Sequence, residues 1–191
     1  MSAVLDYDRG MPSTALTELE AAALGELLNQ QPCTAYVVRR SFEKSLTPTW
    51  SGSAGTIYPA LERLERRKLV RSRASGTGRR RSRTLSVTTL GKSALRSWIL
   101  STLSLWEVGT PLDPLRIRIG FFGVLTPARR IRFLQRAIER LAHEITRAEA
   151  YVDHATRNRG PWQVAIGQGA LTTQRARMGW LKDVLRVARR T

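Results

Sequence analysis

An arginine-rich segment in the middle of the chain is the feature best suited to binding an anionic partner. Six arginines and no acidic residue lie between Arg71 and Arg83. The guanidinium group presents a planar fork of donors that fits phosphate oxygens and guanine edges. Six like charges repel one another, and a polyanion such as nucleic acid relieves that repulsion. An ordinary solvated basic hairpin is the alternative interpretation of the same residues.

The charge of the whole chain favours the same class of partner. The 191 residues include 32 Lys plus Arg against 15 Asp plus Glu, which gives a formal net charge of +17. A field of this strength attracts polyanions, with nucleic acid as the first candidate and an anionic membrane surface as the second. A basic composition can also come from an arginine-rich genome, so the distribution of charge has to decide. No apolar run reaches the ~18 residues of a membrane span, and we expect no membrane partner.

The residues around this segment predict a small helical domain with a hairpin. A first helix begins at a capping box of Thr17 and Glu20, and Thr34 caps a second helix. A third helix covers residues 53–68, and two strands joined by a Gly-Thr-Gly turn follow it. Three short helices and a two-stranded wing, with a fourth helix after them, are typical of a mostly α winged helix-turn-helix. The third helix carries its apolar residues at helical spacing: Ile57, Leu61 and Leu64.

The second half of the chain predicts a helical dimerisation domain. Apolar residues recur at alternating steps of three and four from Ile131 to Ala155, which is a heptad pattern. A final helix is predicted from Trp162 to about Arg189. The heptad face can pack on that helix or on a partner subunit, and the sequence leaves both open. The predicted dimer-interface residues are Leu95, Ile131, Leu134, Ile138, Leu141, Ile145, Trp180, Leu181 and Leu185.

The chain is expected to divide into three parts. Residues 1–14 are a flexible N-terminal extension without the features of a secretory signal. Residues 15–105 form the winged helix-turn-helix domain including its fourth helix, and residues 106–191 form the C-terminal helical dimerisation domain. The single cysteine, Cys33, fits a reducing compartment. The expected location is the bacterial cytoplasm, on the nucleoid when the protein is bound to DNA.

The third helix occupies the position of a recognition helix, which enters the major groove of DNA. Small residues near its N-terminus allow the backbone to approach DNA closely, and its N-terminus favours a phosphate. Tyrosine hydroxyls and the wing arginines are suited to the phosphate backbone. The predicted DNA-binding residues are Tyr36, Ser53, Ala54, Gly55, Thr56, Tyr58, Arg63, Arg73, Arg79, Arg80, Arg81 and Arg83.

Two stretches of the sequence resemble the PadR family of transcriptional regulators. The more distinctive is Ser-x-Gly-Thr-Ile-Tyr-Pro-Ala-Leu at residues 53–61, and the other is Leu-Ser-Val-Thr-Thr-Leu-Gly-Lys at residues 85–92. The resemblance implies a homodimer that binds an inverted-repeat operator, commonly as a repressor, and an aromatic or cationic small molecule that releases it. Thr34 and Ala35 stand where the family commonly has histidine and glycine, and Leu85 stands where an aromatic is common.

Two tryptophans are candidates for a site that binds a small molecule. Trp98 and Trp106 are candidates for an effector pocket, because aromatic rings bind flat and cationic ligands; ordinary packing is the favoured alternative.

The chain has no catalytic motif, phosphate loop or convergent set of metal ligands, so we expect no enzyme activity, no cofactor and no metal. The alternative function is a basic RNA-binding or ribosome-associated protein. A pure interaction module is a third candidate.

Overall fold

The computed structural model describes most of the chain as two compact units that divide between Ser104 and Leu105. Each unit has its own apolar core. The described residues are 15–47, 50, 54–75 and 82–190. The predictions made for residues 1–14, Ser53, Arg79, Arg80 and Arg81 lie outside them.

The first unit is a winged helix, as the sequence predicts. Its two strands pair antiparallel, with Val70 opposite Val87 and Ser75 opposite Ser82. Cys33 exchanges both backbone hydrogen bonds with Leu85, so a third short segment borders the second strand. The elements are α1 (Glu18–Gln30), α2 (Ala35–Glu43), α3 (Ala54–Arg66), β1 (Val70–Ser75), β2 (Ser82–Val87) and α4 (Thr89–Ile99).

Threonine side chains begin three of these helices. The predicted capping box of α1 is confirmed, because the Thr17 hydroxyl accepts from the Glu20 N–H and the Thr17 N–H donates to the Glu20 carboxylate. Thr34 caps α2 and Thr88 caps α4 through hydrogen bonds from backbone N–H groups. Each cap satisfies an N–H that the helix leaves without a partner, which is worth about 1 kcal/mol.

The end of α3 sets the direction of the wing. The Leu69 N–H donates to the Leu64 carbonyl, and the Lys68 N–H donates to the Glu65 carbonyl. This is a Schellman motif, in which the residue after the helix adopts a left-handed conformation. Lys68 does so with φ of 59°. The chain therefore turns sharply, and β1 starts one residue after Leu69.

One side of α3 packs into the core of the first unit. Ile57 and Leu64 on α3 have no exposed surface, and neither do Leu24 and Leu27 on α1. Burying a side chain of this size is worth about 2 kcal/mol. The orientation of α3 about its own axis is therefore set by its apolar stripe, which leaves the opposite side of the helix uncovered.

The second unit is a pair of long helices preceded by short ones. Its elements are α5 (Leu105–Val108), α6 (Pro114–Gly120), a 3-10 turn (Phe122–Val124), α7 (Pro127–Asn158) and α8 (Pro161–Ala188). The sequence analysis predicts the two long helices α7 and α8. The helix α6 begins at Pro114, because the Asp113 carboxylate accepts from the N–H groups of Leu115 and Arg116. Arg177 of α8 donates to the same carboxylate.

The long helices α7 and α8 fold back on one another within one subunit. At least part of the heptad face therefore packs on the final helix, which is one of the two alternatives that the sequence leaves open. Leu134 and Leu181 have no exposed surface within a single subunit, and Leu95 is buried in the core of the first unit. Their assignment to a dimer interface stays a prediction, although these three side chains keep little or no exposed surface within one subunit. The half-buried interface residues stay predictions: Ile131, Ile138, Leu141, Ile145, Trp180 and Leu185.

A glycine in α8 allows the two long helices to approach closely, and this gives a first prediction. A Cβ at Gly167 would lie 2.8 Å from the Tyr151 ring and 3.0 Å from Val152, whereas a Cβ at Gly169 meets nothing within 4 Å. We expect Gly167→Ala to destabilise the protein by about 1 kcal/mol, since the ring can give way only partly. Gly169→Ala should instead stabilise it by about 0.5 kcal/mol. Urea denaturation of both variants measures the difference, and equal shifts would contradict the close packing.

Candidate nucleic-acid interface

The side of α3 that faces away from the core is open to solvent, as a recognition helix requires. Gly55 and Thr56, both predicted to bind DNA, are exposed near its beginning. The opposite side carries Ile57, Leu61 and Leu64, which are at most 3 % exposed. Helix geometry therefore separates a packing side from a side that can meet base edges in the major groove.

Three further residues on the open side were missed by sequence reasoning. Pro59, Glu62 and Arg66 follow Gly55 at steps of four, three and four, and all three are exposed. That spacing was the available signal, because it is the complement of the apolar stripe. Pro59 has no N–H to donate to the Gly55 carbonyl, so that carbonyl lacks its usual helical partner. Arg66 adds a cation, and Glu62 is a potential acceptor for a cytosine amino group.

The two predicted tyrosines lie on neighbouring helices around a common arginine. Tyr36 on α2 is 52 % exposed, and the Arg39 guanidinium lies 5.3 Å from the centre of its ring. Arg39 is also within hydrogen-bonding reach of the half-buried Tyr58 on α3. It forms an ion pair with Glu43 on its own helix. Both tyrosine side chains thus lie next to a positive charge, an arrangement that suits contacts with a phosphate.

Arg63 points to a partner inside the protein. Its Nε donates to Oε1 of Glu20 at 2.8 Å, and Nη1 of Arg67 donates to Oε2 at 3.0 Å. The Glu20 side chain is only 5 % exposed, whereas the two arginines are 43 % and 27 % exposed. Burial alone would raise the Glu20 pKa, but the hydrogen bonds from Arg63 and the Thr17 N–H, with the charges of both arginines, lower it. Both arginines therefore neutralise a buried carboxylate and link α3 to α1.

The wing is fastened to α3 by a second carboxylate. Nη2 of Arg83 on β2 donates to both Glu65 oxygens at 2.7 and 2.9 Å, and to the Ser72 hydroxyl on β1 at 2.7 Å. The Ser72 hydroxyl in turn donates to Glu65 at 2.6 Å. Arg83 is still 64 % exposed. Its role in the structure is therefore to orient the hairpin relative to α3, while Arg73 on β1 is exposed and extends the basic surface.

The two candidate effector residues belong to different units. Trp98 lies near the end of α4 in the first unit and is 37 % exposed, whereas Trp106 lies on α5 in the second unit and is 63 % exposed. Both rings have surface available for a ligand or for a partner subunit. Their assignment to an effector pocket stays a prediction.

The described residues give no sign of two other kinds of site. Nowhere in this part of the chain do three or more His, Cys, Asp or Glu side chains converge in a way that could hold a metal ion. None of the helices described here combines the length and the apolar character needed to cross a membrane.

The first unit packs one side of a helix on its core and leaves the other side open beside a basic two-stranded hairpin, which is the arrangement of a winged helix-turn-helix. Residues 24–97 match the transcriptional regulator PadR-like family, so the chain carries a PadR-like domain there. The resemblance seen in the sequence is confirmed. Among curated proteins there is no significant match.

Solved structures of PadR regulators share this fold over nearly the whole chain. Bacillus subtilis PadR in complex with operator DNA is 18 % identical, with 91 % of this chain and 98 % of that chain covered and a TM-score of 0.77. The same protein in complex with p-coumaric acid is 18 % identical, with 89 % and 98 % covered and a TM-score of 0.72. The PadR-like regulator BC1756 from Bacillus cereus is 16 % identical, with 93 % and 99 % covered and a TM-score of 0.71. At these low sequence identities the similarity establishes a shared fold and nothing more.

Proposed function

We propose that this chain is a homodimeric, sequence-specific DNA-binding repressor that acts in the cytoplasm on an inverted-repeat operator. The open side of α3, next to the basic wing, is the observation that carries the proposal. In this arrangement Thr56 and its neighbours read base edges, while Tyr36, Tyr58 and Arg73 contact phosphates. The structure of Bacillus subtilis PadR with operator DNA supports it, since the fold is shared.

A dimer is supported by the apolar surface that one subunit leaves uncovered. In the second unit Leu105, Phe121 and Val124 are 84 %, 69 % and 86 % exposed, and Trp162 on α8 is 77 % exposed. Monomeric proteins rarely leave so many large apolar side chains in water, and such surface commonly marks a protein interface. A twofold dimer places two recognition helices about 34 Å apart, one turn of DNA, or a multiple of it.

A small aromatic or cationic effector is the regulatory part of the proposal. The exposed rings of Trp98 and Trp106 can contact a flat or cationic molecule. Support comes from Bacillus subtilis PadR, whose structure holds an aromatic acid, p-coumaric acid. We expect such a molecule to lower the affinity of the protein for its operator.

Selection of bound duplexes from a random pool, followed by binding measurements across salt concentrations, tests the proposal. Replacing Arg79, Arg80 and Arg81 with alanine should weaken binding to selected and scrambled duplexes alike. The slope of log affinity against log salt should fall by about one for each phosphate that the variant no longer neutralises. Thr56→Ala should weaken binding to the selected duplex only, because a base contact carries the sequence preference.

A matched control removes three arginines from the second unit, Arg147, Arg175 and Arg186, each of which has an acidic partner. This control should bind DNA as the wild type does. A wild-type protein that shows no preference among duplexes would refute the proposal. Stronger competition by RNA than by duplex DNA would favour the RNA-binding alternative instead.

A further inference from the structure

We propose that the first half of α7 carries a second contact surface for duplex DNA, which we call the α7 basic face. This inference rests on the proposed function. The residues of the α7 basic face are Arg129, Arg132, Arg136 and Arg140, and each of them is solvent-accessible.

Helix geometry places these four arginines on one side of α7. Their steps of three, four and four residues keep them within about a quarter of the helix circumference. From Arg129 to Arg140 the row extends about 16 Å along the axis. A duplex rises 3.4 Å per base pair along its axis, so a row of this length spans about five base pairs.

The α7 basic face differs from the other exposed arginines of the long helices because it lacks acidic partners. Arg147 pairs with Glu144, Arg175 with Glu149 and Arg186 with Asp183. Among the described residues none of the four arginines of the α7 basic face has an acidic group within 4.0 Å. Like charges at these spacings repel along a helix. The row is therefore a surface whose charge has to be balanced by something outside the subunit.

The shape of the surface favours a polymer over a small ligand. Arg129, Arg132 and Arg136 line an open concavity of about 710 Å³, whose other lining residues are Leu125, Phe133, Gln135 and Glu139. Pockets for small ligands are largely enclosed and apolar, whereas this wall is open and carries three arginines against one acidic residue. Arginine donors along an open wall suit a row of phosphates.

Charge complementarity selects duplex DNA as the occupant. A second copy of the chain cannot supply a matching acidic surface, since it has only 15 acidic residues against 32 basic ones. Of the five acidic groups on α7 and α8, three already pair with arginines, namely Glu144, Glu149 and Asp183, which leaves only Glu139 and Asp153. Duplex DNA is the polyanion that the proposed function already brings to the protein, and it offers phosphates at the required density.

The test compares two full-length triple variants that remove the same charge from the same pair of helices. The test variant carries Arg129→Gln, Arg132→Gln and Arg136→Gln, and the control carries Arg147→Gln, Arg175→Gln and Arg186→Gln. Because the replaced side chains lie on the surface, both variants should keep the wild-type melting curve. Binding is measured across salt concentrations on the selected duplex, extended by about one and a half turns, roughly 15 bp, on each side.

For the test variant we expect the slope of log affinity against log salt to fall by about two to three, or about 0.9 for each phosphate left without its arginine. The preference for the selected sequence over a scrambled one should be retained, and the control should match the wild type. Equal slopes for the test variant and the control would overturn the inference while the proposed function stands. A wild type without any duplex preference would instead defeat the proposed function. Loss of binding to anionic phospholipid vesicles with unchanged DNA binding would assign the α7 basic face to a membrane surface and overturn the inference.

Discussion

Replacing Gly91 with alanine should destabilise the first unit by about 3 kcal/mol, because the added methyl group has no space. An ideal Cβ at this position would lie 2.1 Å from the Leu69 carbonyl oxygen and 2.9 Å from Cγ1 of Val87. A backbone carbonyl cannot rotate away as a side chain does. The same carbonyl accepts hydrogen bonds from the Thr88 N–H and from its hydroxyl. Relief of the clash therefore requires the start of α4 to move away from the junction of α3 and β1.

Gly25→Ala is the matched control for this change. Gly25 lies within α1 of the same unit, and a Cβ there meets nothing within 4 Å. Alanine should stabilise the helix at this position by about 0.5–1 kcal/mol, because it loses less backbone freedom on folding than glycine. Urea denaturation at one fixed protein concentration measures both variants, since dimerisation would make the apparent stability depend on concentration. A loss below about 0.5 kcal/mol for Gly91→Ala would show that the junction is looser than the structure has it.

The elements of the first unit could be predicted because the signals that form them act over a few residues. The capping box of Thr17 and Glu20 spans four residues, and the apolar stripe of α3 shows which of its sides is buried. The position of the wing follows in the same way, since the turn after α3 and the alternation of the strands are local. The open side of α3 was therefore predictable as the complement of its core side.

The partners of the charged side chains could not be predicted, because they come from distant parts of the sequence. Arg63 and Glu20 are 43 residues apart, and Arg83 and Glu65 are 18 residues apart. From the sequence alone, an arginine on the recognition helix or on the wing is interpreted as a cation that is free to contact DNA. Only the packing of α1 against α3 shows that a buried carboxylate already holds Arg63. The predicted contacts of Arg63 and Arg83 with DNA stay predictions.

The packing of the long helices is a second limit of the sequence. A heptad stripe is covered equally well by a helix of the same subunit and by a helix of a partner. Leu134 shows that α8 covers at least part of the stripe, since it is fully buried within one subunit. Gly167 is the more specific signal, because a glycine inside a helix is costly unless a neighbouring side chain needs the space.

Replacing Glu20 with glutamine should destabilise the protein by about 2 kcal/mol at neutral pH. Glutamine keeps the size of the side chain and one acceptor oxygen, but it removes the charge that Arg63 and Arg67 share. Hydrogen bonds between charged groups contribute about 1.5–3 kcal/mol each. The expected loss is smaller than two such bonds, because both arginines are partly exposed and water can solvate them after the change.

The pH dependence of this loss follows from the direction of the Glu20 pKa shift. The carboxyl of Glu20 has a lower pKa in the folded protein than in the unfolded chain, despite its burial, because Arg63 and the Thr17 N–H donate to the charged form and both arginines stabilise it. A lowered carboxyl pKa stabilises the fold above the ordinary Glu pKa of about 4.3, and this stability is lost as the pH falls through the lowered value. The difference in the free energy of unfolding between wild type and Glu20→Gln should therefore be largest near pH 7. It should disappear as the solution becomes acid.

Denaturation at a series of pH values from neutral to acid measures this difference, with Glu18→Gln as the control. Glu18 precedes Glu20 in the first turn of the same helix but is exposed, so its loss removes a similar interaction with the helix dipole without breaking a buried ion pair. Asp113 also has a lowered pKa, because its hydrogen bonds and Arg177 outweigh its burial, and it is present in every variant, so its contribution cancels from the difference. A gap between wild type and Glu20→Gln that stays constant into acid would mean that the lost stability comes from packing or capping. The link between α1 and the recognition helix would then not depend on the charge of Glu20.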